Sequence, residues 1–487
     1  MATSLRHNFL TEPELITLSK YKGDDTERRQ NVGFGWLIHP VVRLLTKLFI
    51  PTHVAPSVLS LAGLLCIWQA FYFCELYLDE KPVFFTVVAS ILTFLYYMLH
   101  RMDRIHGILI RNRSVLSDLF SDACGNVGTV FCTLTLCRIV GIRDPLHSWH
   151  IVQILQLALL RYHVKAFKEG YIYFPVLTGP GAAFFWFALI TSVRLCFADD
   201  WVEVVKAFLH TEDLVTFAYW ILLVYSAIEA ATLPFSSRNG IIFCLMYRAV
   251  PGLLAAFGVS YHEVTMMDVV ADGLFMAMVT TDLIVGRKAG RDLHPWIVLF
   301  AMASCLNNFL CTFLVVFYFT SLFYEISAHT NLPILSTVIN VYCDGIYDMC
   351  HLGHKIAFRN ALVFGNRLLV GVVADKDATP YKRKPIMNEL ERAEAVRACK
   401  YVHDVIPNAP CTGLTEEFIR EHNIHIVAHG EEYDKPEDIY YAVPRKMGIT
   451  RILPRTQGMS TSVLIARVCK YNEEKLREEG KLSESSS

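Results

Sequence analysis

Residues 343–354 read CDGIYDMCHLGH and place two histidines, His351 and His354, three residues apart with a glycine between them. Imidazole N–H groups at the start of a helix can meet phosphate oxygens, and the helix N-terminus adds its dipole to the attraction. A second stretch of phosphate type, RTQGMSTS, occupies residues 455–462. Arg455 can clamp a phosphate through two parallel N–H bonds, while Ser460 and Thr461 bring hydroxyls to the start of another helix.

These motifs need a scaffold, and from residue 338 onward the pattern supplies one. Residues 338–342 predict an apolar strand, 354–362 a helix, 367–374 (RLLVGVVA) a second strand, 388–400 a helix and 424–428 a third strand. Strands alternating with helices at this spacing predict an α/β, Rossmann-like domain with a parallel, doubly wound sheet. Ligands of such sheets bind at the carboxyl ends of the strands, which is where residues 343–354 lie. Cys343, Met349 and Cys350 read as packing residues.

The chain of 487 residues carries 45 Lys+Arg against 46 Asp+Glu, a net charge of −1, so nothing draws it toward nucleic acid. Hydrophobic residues make up 53%, aromatics 12% and charged residues 19%, with a mean hydropathy of +0.36. The surplus is uneven: 42 charged residues fall in the 152 from Ser336 onward and 49 in the 335 before it. Residues 1–335 therefore read as a polytopic α-helical membrane domain, 336–471 as a soluble domain and 472–487 as a charged, Ser-rich tail without a long amphipathic membrane helix.

A crossing helix needs about 20 mostly apolar residues. Runs at 55–77, 82–99, 119–136, 182–197, 214–233, 241–259, 269–285 and 296–323 qualify, the last long enough for two, and 149–167 is interrupted by Arg161, His163 and Lys165. The expectation is roughly eight to ten spans, with the N-terminal arm and the loop at 101–113 on the cytoplasmic side. No early apolar segment of signal-peptide type precedes them. The 14 cysteines show no CxxC or zinc spacing and read as small buried hydrophobes in reduced surroundings.

The soluble part, through its HxGH and RTQGMSTS motifs, resembles the cytidylyltransferases that make CDP-choline and CDP-ethanolamine. That resemblance implies in-line attack of a phosphomonoester on the α-phosphate of CTP, with Mg2+ sharing the neutralisation of charge. It implies catalytic roles for His351, His354, Lys382 and Arg455. It places Ile346, Tyr347, His354, Lys382, His429, Arg455, Thr456, Gln457, Met459, Ser460 and Thr461 at CTP. Lys382 also meets the phospho-alcohol, and relatives with this fold commonly form homodimers.

For the alcohol, choline-type relatives carry an aromatic after "AP" and an acidic residue after "AH", where this chain has Cys411 and Gly430. The AHG of residues 428–430 and the PIMN of 385–388 are similar to the ethanolamine-phosphate enzymes, whereas APCTGLTEEFI is of choline type. Tyr433 and Tyr440 are the aromatic candidates for flanking the amine.

The apolar part, through TLSKYKG at 17–23, IPTHVAPSVLSLAGLL at 50–65, FLYYML at 94–99 and YEIS at 324–327, resembles choline/ethanolamine phosphotransferases of the CDP-alcohol phosphatidyltransferase family. That family holds divalent metal with four aspartates on two adjacent helices. A gapless alignment sets His100, Asp103, Ser121 and Gly125 at these positions, so three of the four are lost. A slipped register recovers Asp103, Asp118 and Asp122 but needs a six-residue deletion. The expectation is a catalytically degenerate anchor for a cytosolic cytidylyltransferase in the endoplasmic reticulum membrane, acting on phosphoethanolamine before phosphocholine. The alternatives are a bifunctional enzyme that also transfers to diacylglycerol and a non-catalytic membrane scaffold.

Overall fold

The computed structural model describes residues 8–19, 34–169, 172, 180–197, 221, 224, 228, 263–304, 307–381, 384–435, 437–456 and 458–478. It divides into two compact units, Met1–Thr337 and Val338–Ser487.

The first unit is helical: α1 (Glu12–Ser19), α2 (Phe34–Phe49), α3 (Pro56–Tyr77), α4 (Pro82–Leu109), α5 (Val115–Ile139), α6 (Pro145–Glu169), α7 (Pro180–Phe197), α8 (Met266–Ala289), α9 (Pro295–Ser304) and α10 (Asn308–Thr330). Among the described residues four helices, α3, α4, α8 and α10, are long and apolar enough to cross a membrane. The run at 296–323 is divided into α9 and α10, while the runs at 214–233 and 241–259 lie almost wholly outside the described residues. The run at 119–136 does form a helix, α5, but it falls outside this set of four. Asp118, Ser121, Asp122 and Asn126 lower its hydropathy, and α5 packs on α3 and α8. Capping boxes at Ser114/Ser117 and Thr265/Asp268 set the starts of α5 and α8 by satisfying their first amides.

The second unit holds β1 (Asn340–Gly345), α11 (Leu352–Leu362), β2 (Arg367–Val373), α12 (Asp375–Tyr381), α13 (Glu389–Arg397), β3 (Asp404–Ala409), α14 (Glu416–Glu421), β4 (Ile426–Gly430), α15 (Ala442–Lys446), β5 (Thr450–Leu453) and α16 (Thr461–Glu478). All five strands are parallel, in the order β3-β2-β1-β4-β5, which bears out the doubly wound expectation. Chain order reverses between β1 and β4, and their carboxyl ends form the crevice where such sheets bind ligands.

Two strands escape the sequence patterns. β3 contains Pro407 and Asn408, the latter at φ 52°, beside a register shift opposite Val372/Val373. β5 is four residues long. Both are edge strands, where proline and shortness are tolerated. Observed β1 starts at Asn340 rather than residue 338, and α16 runs on to Glu478, past the expected end of the domain at 471.

Candidate functional site

At the carboxyl end of β1 the chain enters a 3-10 turn, Asp348–Cys350, through left-handed Tyr347 (φ 53°) and Met349 (φ 60°). Non-glycine residues hold such angles only where their surroundings impose them. The buried Asp348 carboxylate accepts the amides of Ile386 and Met387, each at 3.1 Å. Arg392, fully buried, donates to Ile346 O at 2.7 Å, to Met387 O at 3.2 Å and to Asp375 Oδ1 at 2.5 Å. The guanidinium thus ties the turn to α13 and keeps its own charge paired.

The turn delivers His351 in an extended conformation as the residue before α11, where no side chain caps the helix N-terminus. The rings of His351 and His354 stack with centroids 3.8 Å apart, and Tyr347 meets His354 edge-on at 5.2 Å. Gly353 lets the ring sit close, because a methyl group on it would stand 3.0 Å from His351 Cε1, with Met459 Cβ at 3.5 Å. His351 Nδ1 is buried without a hydrogen-bond partner among the described residues, and burial lowers the pKa of the ring from its ordinary value. The first turn of α11 and the imidazoles together present N–H groups to an anion.

Across the switch point, His429 is the penultimate residue of β4, with 3% exposure, and stacks on Tyr441 at 4.4 Å. Its Nδ1 lies 3.1 Å from Gly430 O. A carbonyl only accepts, so this contact puts a proton on Nδ1, and Nε2 is buried without a hydrogen-bond partner among the described residues.

Asp344, at the end of β1, accepts the Tyr441 hydroxyl at 2.9 Å. Burial pushes its carboxyl up to about 6, against the opposing effect of the neighbouring tyrosine hydroxyls. Tyr440 packs on Tyr441 with ring centroids 4.7 Å apart and Tyr433 with centroids 6.1 Å apart, so both alcohol-pocket candidates pack on the tyrosine that donates to that carboxylate. Asp344 and Tyr441 were missed by motif reasoning. An aspartate followed by glycine at the end of a buried strand was the available signal for the first; nothing local marks the second.

Beyond β5 the chain passes Arg455, which is exposed, and Thr456, Met459 and Ser460. Ser460 caps α16 by accepting the Val463 amide at 3.2 Å, and Thr461 is the first residue of that helix. Gly353 and Met459 are neighbours, which brings this segment to the histidine turn. Lys382 and Gln457 lie outside the described residues.

In the helical unit His100, Asp103, Ser121 and Gly125 meet at one locus. Asp103 accepts the hydroxyls of Ser60 and Ser121, His100 lies 4.0 Å from it, and a methyl on Gly125 would stand 3.0 Å from the His100 ring. Asp122 lies between Arg104 at 2.7 Å and Lys288 at 3.3 Å, while Asp118 pairs with Arg113 at 3.0 Å. Among the described residues no three His, Cys, Asp or Glu side chains gather to hold a metal ion.

Residues 342–467 match the family model described as cytidylyltransferase-like. Ethanolamine-phosphate cytidylyltransferase of Dictyostelium discoideum is 41% identical over 133 residues, 27% of this chain and 36% of that protein. Choline-phosphate cytidylyltransferase A of Rattus norvegicus is 42% identical over 135 residues, again 27% and 36%. The lipopolysaccharide core biosynthesis protein of Thermoplasma volcanium GSS1, a solved structure, is 27% identical over 24% of this chain and 97% of its own, with a TM-score of 0.21. The second unit therefore carries a cytidylyltransferase-like domain. Its relatives bear both alcohol names, and this chain spans about a third of the length of those curated relatives.

Proposed function

We propose that this chain is a membrane-anchored cytidylyltransferase converting CTP and phosphoethanolamine to CDP-ethanolamine and pyrophosphate for phospholipid synthesis, with phosphocholine as the second-choice substrate. The observation that carries this reading is the stacked pair His351 and His354 at the uncapped N-terminus of α11, beside the switch point of a cytidylyltransferase-like domain. An oxygen of the phosphomonoester attacks the α-phosphorus of CTP, the α–β phosphoanhydride bond breaks, and pyrophosphate leaves with the electron pair.

Such transfers are mostly positioning and neutralisation of charge. The α11 amides, His351 and His354 donate to the phosphate oxygens, and Arg455 takes the pyrophosphate. Ser460 and Thr461 add hydroxyls, while Lys382 bridges the attacking phosphate and the α-phosphate. Ile346 and Tyr347 meet the nucleotide through their backbone. His429 Nε2 accepts a hydrogen bond from the nucleoside, and Thr456, Gln457 and Met459 complete its surroundings. Mg2+ would enter on the triphosphate and offset its charge, since the ion commonly binds through substrate phosphates rather than a dedicated protein cage.

Asp344, with Tyr433, Tyr440 and Tyr441 around it, receives the ammonium group. A primary ammonium offers three N–H donors to that carboxylate, whereas a quaternary one offers none and depends on an aromatic cage. Cys411 contributes a thiol rather than a ring, its Sγ lying 3.7 Å from Asp377 O. This chemistry favours ethanolamine.

The four long apolar helices support anchoring, which we assign to the endoplasmic reticulum membrane with the second unit cytosolic, as a homodimer. Phosphotransfer to diacylglycerol is not part of this reading, because Asp103, Asp118 and Asp122 each bind separate partners within the chain. The test uses the full chain in detergent with CTP, Mg2+ and either phosphoethanolamine or phosphocholine, and diacylglycerol in a second run. CDP-ethanolamine accumulating equally with and without diacylglycerol is the expected result. No CDP-alcohol from either substrate overturns the activity, and phospholipid in the second run overturns the inert anchor.

A further inference from the structure

The turn that delivers His351 holds a feature the proposed transfer does not use. Cys350 immediately precedes His351, and its Sγ lies 3.6 Å from the Sγ of Cys399, which follows α13. Both thiols are buried, with 7% and 8% exposure, in the core that contains Tyr347, Phe358 and Val396. Sulfurs in a disulfide stand about 2.05 Å apart, so the pair is roughly 1.5 Å from bonding. Cys350 itself has φ 25°, within a left-handed run pinned by Asp348 and Arg392.

We infer that Cys350 and Cys399 form a reversible disulfide that switches off the nucleotidyl-transfer site, an inference that rests on the function proposed for that site. The oxidant is of the hydroperoxide class. One cysteine, as thiolate, attacks a peroxide oxygen; the O–O bond breaks, a sulfenic acid forms, and the other oxygen leaves as water or an alcohol. The second thiol then attacks the sulfenic sulfur and expels its oxygen as water. Two thiols lose two electrons in all, and one hydroperoxide is reduced. A dithiol reverses the bond by exchange through a mixed disulfide.

Closing the gap draws the Cys350 side chain toward Cys399, and His351, the next residue, moves with it. A displacement on the ångström scale at a reacting centre costs about a hundredfold in rate. Burial pushes the Cys350 thiol up to about 12, which lowers its share of thiolate at neutral pH.

The test treats the full chain in detergent with hydrogen peroxide, blocks the remaining thiols, digests the protein and sequences the peptides by mass spectrometry, with CDP-alcohol formation followed in parallel. We expect peptides joined through Cys350 and Cys399, a loss of about a hundredfold in rate and recovery with dithiothreitol. Cys399→Ala should match the parent when reduced and keep its rate in peroxide. Three results overturn the inference: no joined peptide at peroxide levels that oxidise the exposed Cys469, joined peptides with the rate undiminished, or equal inactivation of Cys399→Ala. A chain inactive even when reduced refutes the function proposed for the site, and the peptide measurement then decides the pairing alone.

Discussion

In the helical unit Asp103 is held by the Ser60 and Ser121 hydroxyls, and Asp122 by Arg104 and Lys288. Asp282 is bound by Arg291, the Tyr318 hydroxyl and the His294 amide, and Glu325 accepts the amides of Asn8, Phe9 and Leu10. In the α/β unit one nitrogen each of two imidazoles near the carboxyl ends of the strands is not consumed in this way. His351 Nδ1 and His429 Nε2 are buried without hydrogen-bond partners among the described residues, and Asp344 sits among tyrosines with its pKa raised to about 6. Buried atoms without hydrogen-bond partners among the described residues also occur in the helical unit, His100 Nδ1 and Gln153 Nε2 among them, so what sets the two imidazoles of the α/β unit apart is their place at the carboxyl ends of the strands, where a parallel sheet binds its ligand.

The largest effect is expected of His354→Ala. It should cut CDP-alcohol formation by about a hundred- to a thousandfold, the scale for loss of one preorganised donor to developing charge, with an unchanged unfolding midpoint. A variant within a few fold of the parent would place the site elsewhere. Asp122→Ala tests the opposite pole, because it removes the carboxylate lying between two cations. We expect a loss of roughly 3 kcal/mol of stability, read as a lower midpoint in detergent, and the parent rate in the molecules that stay folded.

Asp344→Asn comes next in size, with KM for phosphoethanolamine rising about tenfold, the lower end for a hydrogen bond to a charged group, and little change in kcat. The sign of its pH dependence follows from the raised pKa. Above about 6 the carboxylate is charged and attracts the ammonium group; below it the acid is neutral and the attraction fades. KM should therefore climb as pH falls through 6 in the parent and not in the variant, and identical profiles would remove Asp344 from the alcohol pocket. The smallest effect belongs to Asp103→Ala. It should lower stability by about 1–2 kcal/mol through the stranded hydroxyls of Ser60 and Ser121 and leave nucleotidyl transfer untouched. A fall in CDP-alcohol formation would mean that Asp103 bears on nucleotidyl transfer.

Much of this protein was legible in its residues. The uneven distribution of charge marked the two regions, and alternating apolar strands and helices announced the parallel sheet. The spacing of His351 and His354 with a glycine between them, directly after an apolar strand, marked a phosphate-type turn at a helix start. These are properties of neighbouring residues, and periodicity or spacing records them directly. Other features depend on contacts between distant segments. Tyr441 reaches Asp344 across 97 residues, Cys350 meets Cys399 across 49, and the carboxylate of Asp103 is claimed by Ser60, 43 residues earlier. The edge strands β3 and β5 exist because β2 and β4 offer them hydrogen-bonding partners: Pro407 and Asn408 in β3 argue for a turn, and β5 has only four residues. Folding alone determines which buried polar groups find partners within the chain and which are left open, because the cost of desolvation is settled where segments meet.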